Sequence, residues 1–303
     1  MPAARARLQS AALHKLGLGA AHFGLDRTGP HGRGRLSDAE AMAAVALAAD
    51  AGVRLIDVSA RYGDAESVLG RVLPAAPPCP PPFRIITKTA PIALGVQMVE
   101  SAARASLQKM RVDMACALVV HAPSDLLGPE GESLWSRLNK LKDEGLYEAI
   151  GIAATASDDP VCLARRFKPD IMQVPTSLLD QRLIDDGSLA ALAEMGVEVH
   201  LRSVFQQGLL FLHRAALPAN LIDAGPRLSR IQRTIAEAGA DPMQAALAFA
   251  MNRPEASAVI VTIGSAAELR AILAAAAAPT PNLDWAALKL TDAAALAPQV
   301  WAA

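Results

Sequence analysis

The sequence alternates eight times between a short apolar run and a longer segment whose apolar residues recur at helical spacing. "VRLIDVS" (53–59) and "SAVIVTIGS" (257–265) are typical of buried strands, and "VQMVESAARASLQKM" (96–110) is typical of an amphipathic helix. Regular alternation of this kind predicts parallel strands covered by helices. Eight such units predict the α/β class and a (β/α)8 TIM barrel. We expect a single domain over 1–303, with a poorly patterned tail from about 279.

A doubly wound open sheet is the alternative arrangement for alternating strands and helices. That fold usually carries a GxGxxG phosphate loop after its first strand, and the first predicted strand here is "KLGLGAAHFG" (15–24). Its glycines, Gly17, Gly19 and Gly24, do not have that spacing, and no long helix begins there. The sequence therefore favours the barrel.

The composition argues against several classes of protein. Hydrophobic residues make up 52 % of the chain and charged residues 19 %, which is typical of a globular fold. The net charge of −1 gives no basic excess to attract nucleic acid or an anionic membrane, and there is no run of about 18 apolar residues to span one. Cys79, Cys116 and Cys162 are widely spaced and have no metal-site pattern, so we expect a reducing, cytoplasmic location and no metal.

Polar side chains stand at the ends of three consecutive predicted strands. Asp57 ends the second strand, Lys88 the third and His121 the fourth, with spacings of 31 and 33 residues. Each spacing is about one strand–helix unit, and the active sites of such barrels lie where the strands end. Tyr62, one of only two tyrosines, lies in the loop after Asp57. The fold would therefore gather all four side chains at one rim.

Each of these residues also has a structural explanation when it is taken alone. Asp57 could cap a helix, and Tyr62 could cover the barrel mouth. Lys88 could be solvated, and His121 could be a hydrogen-bonded core histidine. The four together are much harder to explain in this way, because they bring complementary chemistry to neighbouring strand ends.

That chemistry suits the reduction of a carbonyl group. A phenol with an ordinary pKa of about 10 is a poor acid near neutrality, but an ammonium beside it stabilises the phenolate. A neighbouring carboxylate keeps a buried lysine charged, and an imidazole can donate a hydrogen bond that polarises a carbonyl. Because protein side chains supply no hydride, a nicotinamide cofactor is implied.

Four stretches, "GLGAAHFG", "RLIDVSARYGDAESVLG", "IITKT" and "LVVHAPSD", resemble the successive motifs of the aldo-keto reductases. The likeness runs from about residue 15 to about residue 273. It implies that Asp57, Tyr62, Lys88 and His121 form that family's catalytic tetrad, with Tyr62 as the proton donor. Two further stretches, "QVPTSLLDQRLIDDGSL" and "HLRSVFQQGLL", resemble a bacterial branch associated with surface-sugar biosynthesis.

The resemblance also implies residues that hold the cofactor. Gln173 matches a contact to the nicotinamide carboxamide, and Ser203 matches a position near the cofactor phosphates. Ala153 and Ala154 replace the family's Ser and Asn after the fifth strand, and losing two hydrogen bonds costs about 1–3 kcal/mol. Arg202 stands where the family often stacks an aromatic ring, so it could stack on the nicotinamide and disfavour its oxidised, cationic form. The alternative is that Arg202 binds a loop carboxylate.

The segment "VTIGSAAELRAIL" matches the family's adenosine-phosphate pocket. Gly264 and Ser265 suit backbone contact with a phosphate, and Glu268 stands where a phosphate-binding arginine is common. A carboxylate repels a 2′-phosphate and can accept a bond from a free ribose hydroxyl, so we expect NAD(H) rather than NADP(H). A shifted alignment with Arg270 in this position would reverse that preference.

The sequence thus predicts an NAD(P)(H)-dependent oxidoreductase that reduces an aldehyde or ketone, with a sugar carbonyl among the candidate substrates. Two alternatives stay open. The first is a cofactor-binding sensor or partner subunit with negligible turnover, for which the altered carboxamide contacts leave room. The second is a dehydrogenase that oxidises a sugar hydroxyl with the same residues. The expected partner is a small carbonyl compound, with the oligomeric state left open.

Overall fold

Eight parallel strands close into a barrel in the computed structural model, which describes residues 13–26, 34–75, 82–292 and 294–297. The strands are β1 (Leu16–Gly19), β2 (Leu55–Asp57), β3 (Arg84–Lys88), β4 (Ala115–Val120), β5 (Tyr147–Ala153), β6 (Ile171–Pro175), β7 (Glu198–Arg202) and β8 (Ala256–Thr262). Each strand pairs with the next along the chain, and β1 pairs with β8. The predicted (β/α)8 barrel is confirmed.

Helices cover the outside of this barrel. They are α1 (Asp38–Asp50), α2 (Ala65–Val72), α3 (Val96–Met110), α4 (Ser124–Leu127), α5 (Gly131–Asp143), α6 (Pro160–Phe167), α7 (Arg182–Asp185), α8 (Ser188–Glu194), α9 (Gly225–Glu237), α10 (Pro242–Met251) and α11 (Ala266–Ala276). Within the described ranges, no helix is both long enough and apolar enough to cross a membrane.

Local sequence signals fix where helices begin. At α1 the Ser37 hydroxyl accepts the N–H of Glu40, and the Glu40 carboxylate accepts the N–H of Ser37, which is a capping box. The Asp241 carboxylate accepts the N–H of Gln244 in the same way at α10. Each bond satisfies a backbone donor that has no partner within the helix, so short polar side chains mark these boundaries.

The barrel interior is filled mainly by small and branched apolar side chains. They are Leu55, Ile86, Ala117, Val119, Ala153, Ile171, Ala258 and Ile260. β1 contributes glycine instead, because a Cβ on Gly19 would lie 2.8 Å from Thr262 Oγ1. β1 thus approaches β8 closely, and the polar side chains at the carboxyl ends of the strands lie beyond this mainly apolar layer.

Two predicted element boundaries were wrong. The first strand was expected over 15–24, but β1 ends at Gly19, and Ala21–Phe23 forms a 3-10 turn. The apolar pattern continued past the strand because this turn buries Ala21 and Phe23. Helix α9 begins at Gly225, before the expected "SRIQRTIAEAG", because Pro226 fits a first helical turn, where no backbone donor is needed.

The tail beyond α11 packs back on the barrel, as predicted for Trp285. The Trp285 ring lies 5.9 Å from the ring of Phe249, centroid to centroid. Gln181 Nε2 donates to the Trp285 carbonyl at 2.7 Å. Trp301, for which the same packing was predicted, lies outside the described residues.

Of the three cysteines, two lie in the described part of the chain. Cys116 is buried, Cys162 is exposed, and both are free thiols. Cys79 lies outside the described residues.

Candidate active site

The carboxyl ends of β2, β3 and β4 bring three of the predicted side chains to one rim of the barrel. Asp57 and Lys88 are the last residues of their strands, and His121 follows β4 directly. Lys88 is in register with Val119, so His121 lies two residues further along, on the same side of the sheet. The parallel pairing of the strands thus explains why residues about 30 positions apart in sequence meet.

Asp57 and Lys88 form a buried ion pair. Both residues are 4 % exposed, and Lys88 Nζ donates to Asp57 Oδ1. The second carboxylate oxygen, Oδ2, accepts a hydrogen bond from Gln173 Nε2 at 2.7 Å. Both oxygens of the Asp57 carboxylate are therefore bonded, which offsets part of the desolvation cost of burying the two charges.

Tyr62 lies beside this ion pair. Lys88 Nζ is 5.6 Å from the centre of the Tyr62 ring, and the rings of Tyr62 and His121 meet edge to face at 6.0 Å and 83°. The Tyr62 N–H donates to the Ser59 carbonyl at 3.0 Å, which fixes the turn that follows β2. The backbone of Gly24 packs against the same turn so closely that a Cβ there would lie 2.0 Å from the Tyr62 carbonyl oxygen.

His121 is held in its neutral form by its surroundings. Burial, with the charges of Lys88, Arg61 and Arg202 nearby, lowers the pKa of His121 from 6.5 to about 4. The Ser59 hydroxyl lies 2.9 Å from His121 Nδ1. A neutral imidazole with one nitrogen engaged keeps the other for a ligand, which is the arrangement needed to hydrogen-bond a carbonyl oxygen.

Two residues that support the site, Ser59 and Arg61, were not predicted from the sequence. Ser59 is fully buried and contacts His121. Arg61 donates to the Thr89 carbonyl at 3.3 Å and to Asp125 Oδ2 at 2.9 Å, which ties together the loops after β2, β3 and β4. The available signal was the position of Ser59, which follows Asp57 by two residues and so points to the same side of the extended chain.

Gln173, the predicted carboxamide contact, faces the interior of the barrel. It is fully buried, and its Nε2 is used by Asp57. Its Oε1 is buried and has no hydrogen-bond partner among the described residues. Ala153, in register with Gln173, and the adjacent Ala154 are both buried and offer no side-chain hydrogen bond. A single side-chain acceptor, Gln173 Oε1, therefore remains at this point of the rim.

Arg202, at the end of β7, reaches the residue that follows β5. Its Nη2 donates to the Ala154 carbonyl at 3.0 Å, and its buried Nε has no partner in the described ranges. Burial lowers the pKa of Arg202 below its ordinary value, an effect opposed by Tyr62, Asp57 and Asp158 nearby. Among the described residues no carboxylate pairs with Arg202, so the predicted alternative of a loop carboxylate partner is not what the structure shows.

Ser203, the predicted neighbour of the cofactor phosphates, begins a strained turn. Its φ of 59° is left-handed, and Gln206 and Gln207 share that conformation with φ values of 46° and 49°. The Ser203 carbonyl accepts the Gln206 N–H at 2.8 Å. Left-handed non-glycine residues are costly, and they concentrate at functional sites.

Gly264, Ser265 and Glu268 together close the amino terminus of α11. The Ser265 hydroxyl accepts the Glu268 N–H at 3.0 Å, and Glu268 Oε2 accepts the Gly264 N–H at 2.7 Å. The Gly264 donor that was predicted to contact a phosphate is thus already bonded to a carboxylate of the chain. No group of His, Cys, Asp or Glu in the described ranges could hold a metal ion.

Known proteins are similar to this chain in sequence. The model of the aldo/keto reductase family matches residues 15–292. An aldo-keto reductase of Mycolicibacterium vanbaalenii is 34 % identical over 188 residues, which are 61 % of this chain and just under two thirds (65 %) of that relative. One from Mycolicibacterium smegmatis is 29 % identical over 220 residues, 63 % of this chain and 77 % of the relative.

Solved structures give the same fold. Two Pseudomonas aeruginosa structures, both described as of the aldo-keto reductase type, align with 87 % of this chain and 89 % of theirs, at TM-scores of 0.63 and 0.62. Their identities of 21 % and 22 % mean that this likeness shows the fold alone. The family model, by contrast, covers the barrel from β1 to the tail. The chain belongs to the aldo/keto reductase family.

Proposed function

We propose that this protein reduces an aldehyde or ketone with a reduced nicotinamide cofactor and that Tyr62 is the proton donor. The observation that carries the proposal is the buried Asp57–Lys88 ion pair with the Tyr62 ring against it and a neutral His121 beside it. Membership of the aldo/keto reductase family supports it. A reduced nicotinamide, when bound, supplies the hydride.

The side chains donate the proton, stabilise the phenolate and polarise the carbonyl. The Tyr62 hydroxyl gives its proton to the carbonyl oxygen as negative charge develops there. The Lys88 ammonium stabilises the phenolate that remains, and Asp57 keeps that ammonium charged in a buried position. His121 donates its Nε2–H to the same oxygen, which polarises the carbonyl and orients it.

The residues at the rim fit a nicotinamide carboxamide, although with fewer groups than the family commonly uses. Gln173 Oε1 is a buried acceptor that needs a donor, and an amide N–H would supply one. The buried Nε–H of Arg202 is a donor that needs an acceptor, which a carboxamide oxygen would supply. Arg202 would thus take over part of the role lost at Ala153 and Ala154.

We further propose that the cofactor is NAD(H). The amino terminus of α11 would attract a phosphate through its free N–H groups and its dipole. Here Glu268 already occupies that position and accepts the Gly264 N–H. A 2′-phosphate would have to displace this carboxylate or lie against its charge, whereas a ribose hydroxyl can donate to it.

The test is a titration of the purified protein with NADH and NADPH, followed by assays on sugar aldehydes and simple ketones. We expect micromolar binding of NADH and turnover of at least one carbonyl class. The Tyr62→Phe variant should bind NADH as wild type does and lose most turnover. Wild-type turnover in Tyr62→Phe would overturn the assignment of the proton donor.

A sensor or partner subunit is the second candidate, and Ala153 and Ala154 favour it because they remove cofactor contacts. In that case the protein would bind a nicotinamide cofactor but show negligible turnover on every carbonyl tested. Turnover of a carbonyl at a kcat of about 1 per second, within the usual range for enzymes, excludes this candidate.

A further inference from the structure

A fully buried histidine lies inside the barrel directly next to Gln173. His200 on β7 is in register with Gln173 on β6, and both side chains are 0 % exposed. In a parallel pair, residues in register point to the same face of the sheet, which here is the barrel interior. The residues that flank this pair in the same row are Ala153 on β5 and Ala258 on β8, both small.

His200 is bonded on one side only. Its Nε2 lies 2.9 Å from Glu198 Oε1, and this hydrogen bond holds the pKa of Glu198 below its ordinary value. Glu198 stands at the amino-terminal opening of the barrel, 3.8 Å from the Arg84 guanidinium. His200 Nδ1 is buried and has no partner among the described residues.

Gln173, like His200, has one bonded polar atom and one unbonded polar atom. Its Nε2 is bonded to Asp57, and its Oε1 is buried without a partner in the described ranges. The reverse orientation of the amide would set Oε1 against the Asp57 carboxylate, so the observed one is favoured. Two unsatisfied polar atoms therefore belong to side chains in adjacent positions, surrounded by alanine and other apolar residues.

The two atoms are both acceptors. His200 Nε2 lies against the Glu198 carboxylate, which only accepts, so the bond between them requires a proton on Nε2, and Nδ1 is the acceptor of that tautomer. Gln173 Oε1 is an amide oxygen, which only accepts. Two buried acceptors on neighbouring strands each need a donor, and one water molecule has two O–H groups to donate.

We propose that an ordered water inside the barrel donates to both His200 Nδ1 and Gln173 Oε1, and that His200 through this water is a positioning residue for the Asp57–Lys88 pair. The polar chain then runs from Arg84 and Glu198 at one opening of the barrel to Lys88 at the other. Its effect on catalysis rests on the proposed function of that pair. Gln173 Oε1 has a second lone pair, so it can still accept from a cofactor amide.

A double-mutant cycle with His200→Leu and Gln173→Met tests the link without any assay of activity. Each single change leaves one buried acceptor without its water, whereas the double change removes both acceptors. We expect the two losses of unfolding free energy to be non-additive, with the double variant more stable than the sum predicts. Additive losses would overturn the link. A crystal structure that resolves ordered waters should show one bonded to both atoms, and a dry gap there would also overturn it.

The same cycle on kcat/KM tests the positioning role. We expect His200→Leu to lower kcat/KM about fivefold in the wild-type background and to lower it no further in the Gln173→Met background. His200→Gln, which keeps a donor for Glu198 and an acceptor for the water, should restore most of the loss. Ile171→Val, a truncation in the same apolar interior, is the control that lowers stability and leaves kcat/KM unchanged.

The outcomes separate the two levels of the proposal. If wild-type protein neither binds nor uses a nicotinamide cofactor, the proposed function fails, while the stability cycle still decides whether the water link exists. If the stability cycle is non-additive but kcat/KM does not fall in His200→Leu, the link stands and the positioning role is overturned.

Discussion

The Ser59 hydroxyl lies 2.9 Å from His121 Nδ1 and accepts the Arg61 N–H at 3.1 Å. Ser59 is fully buried, so its O–H must find an acceptor within the protein, and Nδ1 is the acceptor at hand. The neutral imidazole therefore carries its proton on Nε2. Ser59, two residues beyond Asp57, thus selects the His121 tautomer that can donate to a carbonyl oxygen.

The first prediction concerns this bond. Ser59→Ala should lower kcat/KM about tenfold, because the imidazole is then free to hold its proton on Nδ1 and to rotate. NADH affinity should change little. Steady-state kinetics beside a cofactor titration measure both effects. Ser106→Ala is a matched control, since Ser106 is also buried and its hydroxyl donates to the Ala102 carbonyl of its own helix. Unchanged kcat/KM in Ser59→Ala would contradict the tautomer assignment.

The second prediction follows from the lowered pKa of His121. In the folded protein His121 binds a proton only near pH 4, whereas the unfolded chain binds it near 6.5. Between these values the unfolded state holds more protons, so the unfolding free energy must fall as the pH falls from about 6.5 to about 4. Because the side chain is partly exposed, we expect His121 to account for about 1–2 kcal/mol of this fall. Urea unfolding of wild type and of His121→Gln across this range measures it. A parallel fall in both proteins would show that His121 is not responsible.

The fold and the rim residues could be predicted from the sequence because both depend on local, repeated signals. Alternation with a period of about 30 residues requires parallel strands, and parallel strands bring Asp57, Lys88 and His121 to the same edge. Tyr62 follows from its place in the loop after Asp57. None of these inferences needs a knowledge of side-chain packing.

The support of the site could not be predicted in the same way. The bond from Gln173 to Asp57 joins residues 116 positions apart on opposite sides of the barrel, and no sequence pattern encodes such a contact. Glu268 could be read as a ligand for ribose, but only the geometry of the loop shows that it accepts the Gly264 N–H. Side chains that face inward from different strands meet only because the barrel closes. The sequence predicts that the barrel closes, but it does not predict which inward-facing side chains touch.

The third prediction concerns the charge on Arg202. The Arg202 guanidinium, which pairs with no carboxylate in the described part of the chain, should repel an oxidised, cationic nicotinamide bound at this rim and tolerate a reduced, neutral one. Two like charges about 10 Å apart in a protein environment interact by about 1–2 kcal/mol, so we expect NADH to bind about five- to thirtyfold more tightly than NAD+. Arg202→Gln should lower the ratio of the NAD+ dissociation constant to the NADH dissociation constant. Arg233→Gln removes an equal charge from the exposed face of α9 and should leave the ratio unchanged. A ratio that is the same in Arg202→Gln as in wild type would rule out the effect.

The fourth prediction tests the packing that holds Tyr62. A Cβ on Gly24 would lie 2.0 Å from the Tyr62 carbonyl oxygen and 2.3 Å from the Ala65 nitrogen, both backbone atoms that cannot move freely. Gly24→Ala should therefore cost about 1–3 kcal/mol of unfolding free energy and lower kcat by displacing the Tyr62 turn. Gly128→Ala is the control, because its nearest neighbouring atom is 3.7 Å from the new Cβ. If the two variants have equal unfolding free energies and equal kcat values, the Tyr62 turn can move without affecting stability or turnover.

The fifth prediction concerns the cofactor phosphate. Glu268→Ala frees the Gly264 N–H and removes a negative charge from the amino terminus of α11, so NADPH should gain affinity relative to NADH. We expect the ratio of the NADPH and NADH dissociation constants to fall at least fivefold, while the loss of the capping bond lowers the unfolding free energy by about 1 kcal/mol. Glu237→Ala, which removes an exposed carboxylate from the end of α9, should change neither quantity appreciably. If wild type already binds NADPH more tightly than NADH, or if the ratio does not move in Glu268→Ala, the carboxylate does not select the cofactor. The cap on α11 would then be a purely structural use of Glu268.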